Sequence, residues 1–224
     1  MFSWIKTRVK EYWPSPTQAS ADERQAQHDL AEIGAAPWEI GRPQPSFVSL
    51  AQSQQIRGPI LDVGCGTGEN ALYLAGLGFD VTGIDSARAA IEMARDKARV
   101  RQVRAYFRMV DALDLACLGT TFEAVIDSGL FHLFTDEERR RFLPSLAAVL
   151  RPGGTYFMLA FSDQETREGP RRISQAEIHS TFHTGWTINY IRAATFETRI
   201  HDGGAKAWLA SITRTNSNDK QEER

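Results

Sequence analysis

Residues 59 to 69 read PILDVGCGTGE, an apolar run broken by one aspartate and then by glycines at 64, 66 and 68. A short apolar run of this kind fits a strand covered on both faces. Glycines at alternate positions just beyond it let the backbone turn tightly and approach a ligand with no Cβ in the way. A helical pattern over residues 70 to 77 follows at once. Strand, glycine loop and helix in that order form the opening unit of a sheet with crossover helices, and that constrains the fold more than any other feature of the chain.

The rest of the sequence repeats the alternation. DVTGID at 80 to 85 reads as a second strand. SARAAIEMARDKAR after it is amphipathic, with Ala87, Ala90, Ile91, Ala94 and Ala98 on one face, and Ser86 is placed to cap its first turn. Strands are expected at 105 to 110 and 122 to 127. Thr135-x-x-Glu138 matches a capping box that opens a helix running to about Leu150, stopped by Pro152-Gly153-Gly154. Residues 156 to 161 are a fifth strand, and Ser174-x-x-Glu177 starts another helix. Two late strands, near 188 to 196 and 208 to 213, flank a Gly203-Gly204 turn and read as an antiparallel hairpin. The expected class is therefore α/β, a Rossmann-like, seven-stranded, mostly parallel sheet with helices on both faces and an antiparallel C-terminal hairpin.

Composition narrows the function. The formal net charge is −2, which offers no basic excess to hold a nucleic acid, so no nucleic-acid partner is expected. Two cysteines, Cys65 and Cys117, make no disulfide framework and fit a reducing, cytoplasmic setting. No apolar run is long enough for stable membrane insertion. Residues 1 to 35 read as an N-terminal arm or lid, 36 to 214 as one domain and 215 to 224 as a disordered tail. A monomer or homodimer is expected.

Sheets of this class bind ligands beyond the carboxyl ends of their strands. A dinucleotide fingerprint counted from Gly64 needs glycine at its sixth position, and Glu69 stands there, a carboxylate where a pyrophosphate would want the helix N-terminus. No Gly-Lys-Ser/Thr completes a phosphate-cradling loop either. Asp85 ends the second strand about 20 residues on, where an acid accepts both hydroxyls of a ribose. Asp111 follows the third strand, where it can accept from an exocyclic amine. Asp62, Asp85 and Asp111 at three successive strand ends, with no basic residue among them, describe a site for a cationic nucleoside without phosphate. S-adenosylmethionine has that charge pattern. Singly, each acid is equally consistent with a helix cap.

With these residues in view, the sequence strongly resembles the class I S-adenosylmethionine-dependent methyltransferases. LDVGCGTG is similar to their first motif, GID to the second and VDA to the third, and the resemblance covers residues 36 to 214. APWEIGRPQP at 36 to 45, with DSGLFHLF and FMLAFSD, resembles the thiopurine, halide and thiol methyltransferase-like branch. The whole is especially similar to bacterial heterocyclic-toxin methyltransferases, which methylate O or N of small aromatic heterocycles. The resemblance implies cofactor contacts at Trp38, Gly64, Gly66, Gly68, Asp85 with Ser86 beside it, Asp111, Ala112 and Asp127, the last near the methionine part. The product implied is S-adenosylhomocysteine.

His132, in DSGLFHLF, is the candidate catalytic base, since its ordinary pKa of about 6.5 suits proton removal. A positioning role and a core histidine between Phe131 and Phe134 are the alternatives. Phe131, Phe161 and Trp38, with His132, are the expected walls for an aromatic or heterocyclic substrate. His179 and His183 are spaced H-x₃-H with no acid between them, so no metal site is expected. Cys65 reads as a small loop residue. A thiol or halide methyltransferase, and a regulatory protein that binds S-adenosylmethionine without catalysis, are the alternative functions.

Overall fold

The computed structural model describes residues 36 to 215. The expected N-terminal arm, and the expected C-terminal tail beyond Thr215, lie outside the described residues. Seven strands form one sheet: β1 (Ile60–Val63), β2 (Val81–Asp85), β3 (Tyr106–Met109), β4 (Phe122–Ser128), β5 (Leu150–Phe161), β6 (Trp186–Phe196) and β7 (Ala205–Arg214). Their order is β3-β2-β1-β4-β5-β7-β6. Neighbours from β3 across to β5 are parallel, while β7 runs antiparallel to both β5 and β6. The order reverses between β1 and β4, which pair with Val63 opposite Asp127. That reversal opens a crevice above the carboxyl ends of those two strands.

Among the described residues five α-helices accompany the sheet: α1 (Pro45–Gln52), α2 (Glu69–Gly76), α3 (Arg88–Arg101), α4 (Asp136–Val149) and α5 (Gln175–Thr181). Two cores, one on each face, follow from the alternation of side chains along the strands. Leu61, Val63, Val125, Tyr156 and Met158 pack with Phe142 and Leu146 of α4 and Ile178 of α5. Ile60, Ala124, Ile126, Phe157 and Leu159 pack with Phe47 of α1, Ala71 and Leu74 of α2 and Ile91 of α3.

Both expected capping boxes are present. The Thr135 hydroxyl accepts from the Glu138 amide at 3.2 Å while the Glu138 carboxylate accepts from the Thr135 amide at 2.8 Å, and Ser174 with Glu177 repeats the arrangement. Ser86 does not cap α3. The N-cap is Ala87, whose amide is taken by the Asp85 carboxylate instead. α1 and a 3₁₀ segment at Ala112–Leu118 were not anticipated. β5 begins six residues before the expected 156, since Leu150 already pairs with Phe122 across a register shift. Gly68 takes φ +87° at the start of α2, and a Cβ there would come within 3.0 Å of Ala94 and Phe107. Only glycine fits that close packing of loop, helix and strand.

Thr135→Ala removes one cap hydrogen bond of α4, and a loss of about 1 kcal/mol in urea unfolding is expected. An unchanged midpoint would show that packing alone holds this helix end.

Candidate active site

A cavity of about 480 Å³ sits over the β1–β4 reversal, a size ordinary for a small-molecule site. Its floor is the glycine loop. Gly64 (φ +70°) and Gly66 (φ +53°) both line it, and a Cβ on Gly66 would meet no protein atom within 4 Å. The space above that glycine is therefore left for a ligand. The Asp85 carboxylate closes one side. Its Oδ2 accepts from the Gly66 amide and its Oδ1 from the Ala87 amide, both at 2.9 Å. Ser86, Asp111 and Ala112 continue that wall. Asp111 also caps its 3₁₀ turn, with Oδ1 accepting from the Leu113 amide at 2.9 Å, so it is both a cap and part of the cavity wall.

The segment 36 to 44 forms the opposite side and is tied at two ends. Glu39 bonds the Thr67 hydroxyl and lies 3.4 Å from Lys97, which also reaches Glu69 at 2.7 Å. Arg101 grips Glu69 with two bonds of 2.8 Å. Burial opposes the Glu69 charge, but Arg101 and Lys97 outweigh it and hold the carboxyl below its ordinary value. This carboxylate at the first turn of α2 occupies the place of a phosphate, as its position in the sequence implied. At the other end, the Gln44 side chain exchanges two 2.9 Å hydrogen bonds with the backbone of Glu197, and Arg42 pairs with the Glu197 carboxylate. The Gln44 amide in turn donates to Asn70 at 2.9 Å. Trp38 lines the cavity from this segment.

Aromatic side chains make the far end. Phe161 and Phe196 stack with centroids 5.0 Å apart, and the His132 ring stands edge-on to Phe161 at 5.1 Å. Leu130, Leu133 and Phe134 complete that wall. His132 is 4% exposed, and its Nδ1 accepts from the Phe161 amide at 3.3 Å. Burial, with the guanidiniums of Arg139 and Arg172, pushes its pKa down to about 3. The Nδ1 lone pair is thus engaged by the backbone in this geometry, which places His132 on the wall with a committed Nδ1.

Three expectations are corrected. Asp127 is fully buried and absent from the cavity wall. Its oxygens accept from the Leu130 amide at 2.7 Å, the Phe131 amide at 3.1 Å and the Tyr156 hydroxyl at 2.6 Å. It fixes the turn that carries Ser128, Gly129 and Leu130 onto the wall. Phe131 points into the core against Phe142 and Phe182, beneath Arg139, because a 3₁₀ turn spreads successive side chains about 120° apart. Gly68 serves packing, as described above, and does not line the cavity.

Asp62 is not at the strand end but inside β1, facing α2. It is completely buried, and both its oxygens lack a hydrogen-bond partner. Burial, and then the charges of Asp127 and Asp85, push its carboxyl up to about 8, while the Ala71 amide opposes this without reaching hydrogen-bond geometry. This carboxyl lies in the strand that leads into the glycine loop and is not part of the cavity wall. Phe196, Leu130, Gln44 and Arg42 were missed by the sequence reading. Gln44 carried a signal, a lone amide between two prolines, whereas Phe196 carried none.

The family model described as a methyltransferase domain matches residues 60–154. The 2-heptyl-1-hydroxyquinolin-4(1H)-one methyltransferase of Mycobacteroides abscessus is 32% identical over 177 residues, which span 76% of this chain and 78% of that protein. A probable thiol methyltransferase of Arabidopsis thaliana is 28% identical over 141 residues, 62% of each chain. Among solved structures, one reported for the conversion of a disulfide bond into a thioacetal group during echinomycin biosynthesis superposes with a TM-score of 0.76. It is 35% identical and covers 84% of this chain and 91% of that one.

The buried carboxyls make stability depend on pH. Asp62 and Asp127 titrate near 8 and 7 when folded, far above the unfolded value of 3.8. Such groups stabilise the folded state fully below the unfolded pKa, and that contribution is lost as pH rises through the folded one. Between pH 7.5 and 8.5, above most of the range in which unfolded histidines titrate, unfolding free energy should fall by roughly 1 kcal/mol per pH unit. Asp62→Asn should flatten the slope, and an equally steep slope in that variant would contradict the assignment.

Proposed function

Because this chain belongs to the class I S-adenosylmethionine-dependent methyltransferases, we propose that it transfers the cofactor's methyl group to O or N of a small aromatic heterocycle or phenol. The observation that carries this reading is the division of the cavity. Its nucleoside end is lined by acids and backbone, with Glu69 excluding a pyrophosphate. Its far end is a wall of Phe161, Phe196 and Leu130 suited to a flat apolar ring. In this reading Asp85 takes the ribose hydroxyls, Asp111 and Ala112 take the adenine edge, and Gly64 and Gly66 admit the chain between ribose and methionine. Trp38 covers the site, and Gln44, Asn70 and Arg42 surround the amino-acid part. The cofactor leaves as S-adenosylhomocysteine.

When bound, the cofactor supplies a methyl group already activated by its sulfonium. The chain's own task is to hold an acceptor atom in line with it, an orientation effect that contributes roughly 7–11 kcal/mol of barrier lowering. Trp38, Phe161 and Phe196 keep water from the acceptor.

S-methylation of a small thiol is the second reading. It is favoured by one observation, the engagement of His132 Nδ1, because a thiolate needs no base. The test is incubation with methyl-labelled S-adenosylmethionine and a panel of hydroxyquinolones, phenols, aryl thiols and iodide. Labelled O- or N-methyl product is expected. Product from thiols alone would establish the second reading, and no product from any acceptor would leave a protein that binds the cofactor without catalysis.

A further inference from the structure

His132 presents to the cavity the nitrogen that the fold leaves over. Its Nδ1 is held by the Phe161 amide, a backbone donor of β5 that cannot change its role. A neutral imidazole with Nδ1 accepting carries its proton on Nε2. Nε2 makes no hydrogen bond among the described residues, and it is not among the sealed, unpartnered atoms of the core. The ring is clamped by Phe161 and Phe196, and Gly129 (φ +90°) leaves room for it, since a Cβ there would come within 3.2 Å of His132 Cε1.

We propose that His132 is a hydrogen-bond donor to the acceptor atom, and that this donor selects acceptors that arrive already deprotonated. The inference rests on the methyl-transfer reading above and deepens it. The other polar groups of the cavity point the same way. Asp85 accepts from two amides, Asp111 caps its turn, Glu39 is held by Thr67 and Lys97, and Glu138 closes a capping box. The Cys65 thiol is pushed well above its ordinary value by burial and by Asp62 and Asp85. The charged groups acting on the His132 ring, Arg139 of α4 and Arg172 of the segment before α5, both disfavour an imidazolium. Each of these carboxylates is already bonded to the protein, while His132 offers the cavity a donor beside the aromatic wall.

An anion in an apolar pocket is costly without a donor, and a hydrogen bond to a charged group is worth more than one between neutral partners. The acceptor class is accordingly an acidic N–OH or O–H on an aromatic ring, or an aryl thiol, lost to bulk water as a proton before binding. The anionic oxygen or sulfur then forms the bond to the methyl carbon. The carbon–sulfonium bond breaks with its electron pair kept by sulfur, and no proton is transferred within the site.

Two substitutions separate the two ring nitrogens. His132→Asn keeps an acceptor near the Nδ1 position and loses the donor, and His132→Gln keeps a donor near the Nε2 position. With ring-substituted N-hydroxyquinolones and aryl thiols of graded acidity, the midpoint of the kcat/KM pH profile should follow each acceptor's own pKa. His132→Asn should lose about 10- to 100-fold in kcat/KM, and His132→Gln much less. One enzyme-borne midpoint common to all acceptors, with equal losses in both variants, would overturn the proposal. Nitrogen-15 NMR of the histidine rings, on the full chain saturated with S-adenosylhomocysteine, decides it without turnover. A neutral Nε2–H ring at His132 from pH 5 to 9 is expected, and an Nδ1–H tautomer or a titrating imidazolium in that range would overturn it. If no acceptor is methylated the functional reading falls, while the ring tautomer still settles the role of His132.

Discussion

One carboxylate joins the parts that make the cavity. Asp85 ends β2 and accepts from the amides of Gly66 and Ala87, so it links the loop after β1 to the start of α3 while forming part of the wall between them. Two short bonds from one side chain thus hold two independent strand-to-helix turns in register. The glycines make this approach feasible, since Gly66 takes a positive φ and keeps its open side toward the cavity. The geometry that shapes this wall is therefore also the geometry that positions the loop.

The second organising element is a pair of carboxyls buried on opposite faces of the sheet. Asp127 is almost fully satisfied, by two amides and the Tyr156 hydroxyl, and it shapes the turn leading to His132. Asp62 is satisfied by nothing among the described residues. Buried polar groups normally find partners because leaving one unpaired is expensive. The contrast assigns structure to the first, while the second keeps its proton to a higher pH because burial disfavours its charge.

Much of this was legible in the sequence. The order of strands and helices followed from apolar runs and their punctuation, and Trp38, Gly64, Gly66, Asp85, Ser86, Asp111, Ala112, His132 and Phe161 do line one cavity. The misreadings share a physical origin. Whether Asp127 or its neighbour Ser128 faces the ligand depends on strand parity at the very end of β4, and Phe131 against His132 depends on the phase of a single 3₁₀ turn. Neither is encoded in residue type. The role of His132 depended on a backbone amide of β5 twenty-nine positions away, and Phe196 enters from β6, so both rest on long-range packing that local pattern does not report.

The central claim is that the cavity is built for a cationic nucleoside without phosphate. Isothermal titration of the full chain with S-adenosylmethionine and S-adenosylhomocysteine, beside NAD and ATP, tests it most directly. The account predicts one-to-one binding of both sulfur nucleosides and no measurable binding of NAD or ATP. Binding of either phosphate-bearing nucleotide in place of the sulfur nucleosides would contradict it.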